Sequence, residues 1–131
     1  MFFYKRKTIV IMSLSKQDFI IKRNDTLPNL QLSLTTKGNL GETIAFNLSA
    51  VTATTFTMVD DCGNAKIISA TATISDSDCG LIYYSWQTGD TDTSGTYKGE
   101  FTLFFQDGKK ITVPRSSVIN IHIEDDINPY N

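Results

Sequence analysis

Residues 97–105 constrain the fold most. Tyr97, Gly99, Phe101, Leu103 and Phe105 alternate with Lys98, Glu100, Thr102 and Phe104, the period of a long strand with one core face. A polar corner, Asp92-Thr93-Ser94-Gly95-Thr96-Tyr97, leads into it. The D-x-x-G-x-Y spacing is that of a tyrosine corner, in which the phenol bonds back to upstream backbone and locks a crossing between two sheets. Asp92, Gly95 and Tyr97 are therefore expected to form a structural corner.

The rest of the chain repeats the same period. Phe19-Ile20-Ile21 opens the body, and Leu30, Leu32 and Leu34 alternate with polar residues. Residues 44–49 suggest a short extended piece, and Phe56 and Met58 share one face of a strand near 53–59. A strand region runs from Ile67 and Ile68 through Ala70 and Ala72 to Ile74. Ile82, Tyr84 and Trp86 share a face, and Ile119, Ile121 and Ile123 point inward with Asn120 and His122 outward. Asp107-Gly108 predicts a two-residue type I′ hairpin returning through Lys110–Val113. No segment sustains a helical period over three turns. Seven or eight strands with regular turn signals predict an all-β immunoglobulin-like sandwich, mainly antiparallel. Gly99 stands where an antibody domain carries its second inter-sheet cysteine.

At 131 residues the chain makes one domain. The expected division is a basic arm over 1–17, the sandwich over 18–124 and an acidic tail over 125–131. Charge follows that division. Residues 1–23 carry six basic side chains against Asp18, whereas the remainder carries six basic and thirteen acidic ones. A basic arm on an acidic body points to self-association or to another acidic surface; the alternative is a solvated terminus. Lys5, Arg6 and Lys7 precede Thr8–Met12, an apolar run of about five residues, shorter than the roughly 7–15 of a secretory signal. It reads as an extended arm, with Lys5, Arg6, Lys7, Ile9, Val10 and Ile11 as candidate partner contacts and Met12 as an alternative start. Nothing approaches transmembrane length.

Candidate chemistry is sparse. Cys62 and Cys79 lie in turns at opposite ends of one expected strand, too far apart for a disulfide, and read as free thiols of a reducing compartment. Asp90-Thr91-Asp92-Thr93-Ser94-Gly95 resembles half a calcium loop, but the closing Glu position is Phe101. The acidic pairs Asp60/Asp61 and Asp76/Asp78 lie in turns, where such residues are ordinary. A single histidine, His122, makes no zinc site. No catalytic group, cofactor or metal is expected, and the acidic body disfavours nucleic acid. Tyr83 and Phe104, on outward registers, are candidate partner contacts.

The order of motifs resembles the N-terminal domain of phage baseplate upper proteins. Residues 19–28, FIIKRNDTLP, resemble that family's I-K-R-G-D-T-x-P, with Asn24 in place of Gly; Asn also accepts positive φ. Asn47-Leu48-Ser49-Ala50-Val51, Phe56-x-Met58, the stretch Gly80–Trp86 and the stretch Gly89–Tyr97 follow in the family's order. The resemblance spans about residues 18–124 and implies an immunoglobulin-like module of a tailed-phage particle. It would be non-enzymatic, multicopy and bound to other virion proteins, located in the virion and made in the host cytoplasm. The long C-terminal region of larger members has no counterpart here, which leaves baseplate, tail, neck and capsid open. The alternative expectation is a carbohydrate-binding module for host-surface glycan, with Tyr83 and Phe104 as stacking platforms.

Overall fold

A computed structural model describes residues 17–115 and 117–127. The strands are β1 (Gln17–Lys22), β2 (Leu30–Ser33), β3 (Thr35–Lys37), β4 (Thr43–Ala45), β5 (Val51–Asp60), β6 (Ala65–Thr71), β7 (Thr73–Asp76), β8 (Leu81–Tyr84), β9 (Gly95–Phe105), β10 (Lys110–Val113) and β11 (Ile119–Glu124). The larger sheet runs β1-β11-β9-β5-β6, with β10 also on β9; the smaller runs β2-β8-β7. Strands β3 and β4 form a separate two-stranded ladder. All pairings are antiparallel except β1 with β11. The protein is an all-β sandwich of immunoglobulin-like kind.

Period-two patterning produces the core. Tyr97, Gly99, Phe101 and Leu103 of β9 are buried between exposed or half-buried neighbours. The inward residues of the smaller sheet, Leu30, Leu32, Ile82 and Tyr84, pack with Phe56, Met58, Phe101 and Ile121 of the larger. The Phe56 ring stacks on Tyr84 at 4.8 Å, meets Trp86 edge-on at 6.0 Å and lies 5.0 Å from Phe101. Full burial of each such side chain contributes about 1.5–3 kcal/mol. Gly99 makes that ring's position possible: a Cβ there would lie 2.9 Å from the Phe56 ring and 2.8 Å from Ile121 Cδ1. Where an antibody domain places half a disulfide, this chain places an aromatic ring.

The corner forms at the expected residues. Tyr97 is buried, and its hydroxyl donates to the Thr93 carbonyl at 2.7 Å. The loop before it is tied down as well. Asp90 accepts the Tyr84 hydroxyl at 2.6 Å and the Gln87 amide at 2.8 Å. The buried Thr91 hydroxyl donates to the Asp25 carbonyl, and its own carbonyl accepts the amide of Asn24, which sits at φ 71°. That left-handed backbone suits Asn among non-glycine residues.

Strand count departs from the expectation of seven or eight: eleven strands form among the described residues, in part because two expected strands are interrupted. The run over 67–74 serves both sheets: β6 ends at Thr71 in the larger, and β7 starts at Thr73 in the smaller. Between them the buried Ala72 donates its amide to the Thr54 carbonyl at 2.9 Å. Ser69 reaches φ 49° and bonds the Thr57 hydroxyl, so the β5–β6 ladder slips register. The second interruption separates β2 from β3 at Leu34, whose amide donates to the Gly80 carbonyl. Gly80, at φ 69°, sits where a Cβ would meet the carbonyls of Leu34 at 2.5 Å and Phe46 at 2.8 Å.

Two local expectations change. The piece at 44–49 pairs outside both sheets as β4, with Thr43, Ile44 and Ala45 exposed, while Leu48 is buried in the core and Phe46 packs against it. The Asp107-Gly108 hairpin is not type I′. Gly108 alone has positive φ, its amide donates to the Phe105 carbonyl, and Phe105 pairs with Lys109. Asp107 keeps an ordinary backbone because its carboxylate accepts the Lys109 amide at 3.0 Å, giving the three-residue hairpin with a glycine bulge.

Tyr97→Phe should cost about 1 kcal/mol by urea denaturation, the worth of one buried hydrogen bond. Gly99→Ala should cost about 1–3 kcal/mol, because Phe56 and Ile121 are packed on all sides and must shift to admit the methyl. Wild-type midpoints for both variants would contradict this account of the core.

Candidate functional site

The expected site residues do not converge. Lys5, Arg6, Lys7, Ile9, Val10 and Ile11 lie outside the described residues. Tyr83 is half-buried on β8, between Gln31 of β2 and Thr73 of β7 in the smaller sheet. Phe104, 36% exposed, belongs to β9 in the larger sheet. The two aromatics thus occupy outer faces on opposite sides of the sandwich and make no common platform.

Most carboxylates are engaged in local structure. Asp60 Oδ1 accepts the amides of Cys62 and Asn64, both at 2.9 Å, and these bonds, led by Asn64, hold its carboxyl below the usual range. Asp76 accepts the Cys79 amide at 3.2 Å and, by its hydrogen bond and negative charge, pushes the exposed Cys79 thiol up. Asp92 pairs with Lys66 at 2.6 Å and takes the Thr93 hydroxyl, and those bonds lower its carboxyl. Asp90 and Asp92 therefore face different partners rather than a shared ion. Among the described residues no group of three or more His, Cys, Asp or Glu is placed to hold a metal.

The feature that stands apart is a groove on the outer face of the larger sheet. Strands β10 and β11 pair with the same side of β9: Val113 lies opposite Phe101, and Ile119 opposite Gly99. Glu100 is the one β9 residue between them, and Pro114, Arg115, Ser117 and Val118 belong to neither ladder. Pro114 has no amide hydrogen, so the ladder cannot continue through it. The resulting open groove, of about 1120 Å³, is lined by Lys98, Glu100, Lys110, Thr112, Arg115 and Asn120, with Val118 at its side. The Thr112 and Thr102 hydroxyls lie 3.4 Å apart across the β9–β10 pair.

Its charge is opposite in sign to the net charge of the sandwich that carries it. Three cations gather here on a protein of net charge −2. The described ion pairs join Arg23 to Asp125 and Asp126, Lys66 to Asp92, and His122 to Asp18. None includes Lys98, Lys110 or Arg115. Sequence reasoning missed this cluster: Pro114 marks a strand end, but nothing local says that the next strand returns to the same side of β9.

No family model matches the chain, and no curated protein matches it either. Among solved structures it is similar to CopC from Methylosinus trichosporium OB3b, at 10% identity and a TM-score of 0.50. The match covers 92% of this chain and 98% of that one. At that identity the likeness concerns the fold. It corrects the expectation of a tailed-phage structural component with a carbohydrate-binding alternative: a solved structure that shares this fold along nearly its whole length is not a phage structural protein. Corner and strand motifs mark a sandwich, and one sandwich serves unrelated roles.

Asp60 and Asp92 have folded-state values below the roughly 3.9 of an unfolded Asp, so their stabilisation is present above that pH and disappears as pH falls through the folded values. Acid titration of stability, followed by circular dichroism, should therefore show a shallower loss below about pH 4 in Asp60→Asn than in wild type. Superimposable acid limbs would refute the role given to that turn.

Proposed function

We propose that this chain is a non-catalytic binding module that engages a macromolecular partner through the outer face of its larger sheet. The groove opposite Glu100 carries the reading. It lies on the longest strand of the fold, and its cations stand free of the described ion pairs. An immunoglobulin-like sandwich holds such a face rigidly, because the β9 backbone is fixed by β5 on one side and by β10 and β11 on the other. A preorganised surface loses little conformational freedom on binding. Asp60 and Asp76 are committed to turns, Asp92 to Lys66 and Asp90 to Tyr84, so these carboxylates do not form an acid–base pair. The opposite sheet offers a weaker surface, with Tyr83 half-buried between its strand neighbours.

Site-specific photo-crosslinking in the cells that make the protein tests this. A crosslinker at Thr112 should give a discrete adduct that disappears when Lys98 and Lys110 are both changed to Glu, whereas one at Gln31 should give none. Equal adducts from Gln31, or none from Thr112, would overturn the assignment of the face.

A further inference from the structure

We infer that the occupant of the groove is an acidic polypeptide segment, whose spaced carboxylates meet Lys98, Lys110 and Arg115. This rests on the preceding reading of the face as a binding surface. Three observations select the ligand class. The first is charge: the groove is a cationic patch on a protein of net negative charge, so the field favours an anionic partner at this face. The second is exposure. Lys98, Lys110 and Arg115 are all exposed, and a solvated cation gains little from a single contact. A small anion touching one or two of them is held weakly, whereas an extended chain reaching all three adds their contributions.

The third observation is Glu100. It is half-buried between the cations on the same outward register of β9 as Lys98. A carboxylate in the floor repels a densely charged backbone such as nucleic acid, with its charge at every nucleotide. It tolerates a polypeptide whose acidic side chains are separated by neutral ones. Asn120 and Ser117 add neutral polar groups, and Val118 supplies an apolar contact.

The experiment measures binding of the full chain to a fluorescent peptide of alternating Glu and Ser, with a single-stranded oligonucleotide of equal net charge and inorganic phosphate as competitors. Expected are saturable peptide binding that weakens with added salt and a loss of at least about tenfold in affinity in Lys110→Glu and in Arg115→Glu. Glu100→Gln should tighten the oligonucleotide more than the peptide. Wild-type unfolding curves for the three variants keep the comparison sound, since all three positions lie outside the core.

Peptide binding indifferent to these charge changes would overturn the inference. So would tighter binding of the oligonucleotide, displacement by phosphate alone, or a concentration-dependent dimer, by sedimentation, that Arg115→Glu abolishes. Absence of peptide binding while the Thr112 crosslink persists would remove the acidic occupant and leave the binding face standing. Loss of both would remove the two together.

Discussion

The Phe56 ring, lodged between the sheets in the space left by Gly99, is the contact on which the remaining structure depends. It touches Tyr84 of the smaller sheet, Trp86 just past the end of β8 and its own sheet neighbour Phe101, so one residue joins both halves of the core. The chain of consequences is continuous. Stacking places the Tyr84 ring, and the Tyr84 hydroxyl then holds Asp90. Asp90 shapes the turn after Trp86, and that turn delivers Thr93 to the hydroxyl of Tyr97. Burial raises the pKa of both phenols, and for Tyr84 the Asp90 carboxylate adds to it, so each stays a donor at neutral pH. An aromatic cluster thereby replaces the covalent bridge of antibody domains, without need of an oxidising compartment.

Period two was enough to read much of this in the sequence. The alternation over 97–105 names the buried face of β9, and Ile119, Ile121 and Ile123 do the same for β11. The corner was legible because its residue types do specific work: Gly95 at φ 147°, Tyr97 with a polar tip on an apolar body. What alternation does not encode is the sheet to which a strand belongs. Ala70, Ala72 and Ile74 continue a single pattern while the chain leaves one sheet for the other. Turn type was equally hidden at Asp107, where a side-chain bond decides the backbone. The groove was invisible for a related reason, since Lys98 and Arg115 become neighbours only through the shared use of β9.

Function was the least legible level. Most of the motifs that resemble a phage family sit at corners, turns and strand starts, and Phe56-x-Met58 lies on a core face, all places any sandwich must solve in similar ways. A protein 10% identical reaches the same fold. What distinguishes this chain is the outer surface, where the fold imposes polarity but not particular charges. The binding reading accordingly rests on Lys98, Lys110 and Arg115, which the fold does not require.

The parallel pairing of β1 with β11 has a mechanical consequence. Gln17 lies beside Ile119 at one end of the pair, and Lys22 beside Glu124 at the other. Tension between residues 17 and 124 draws these strands in opposite directions along their common axis. The whole ladder is then loaded in shear, and its bonds must fail together rather than peel one after another. A sandwich joined to neighbours at those two points would transmit force as a stiff link.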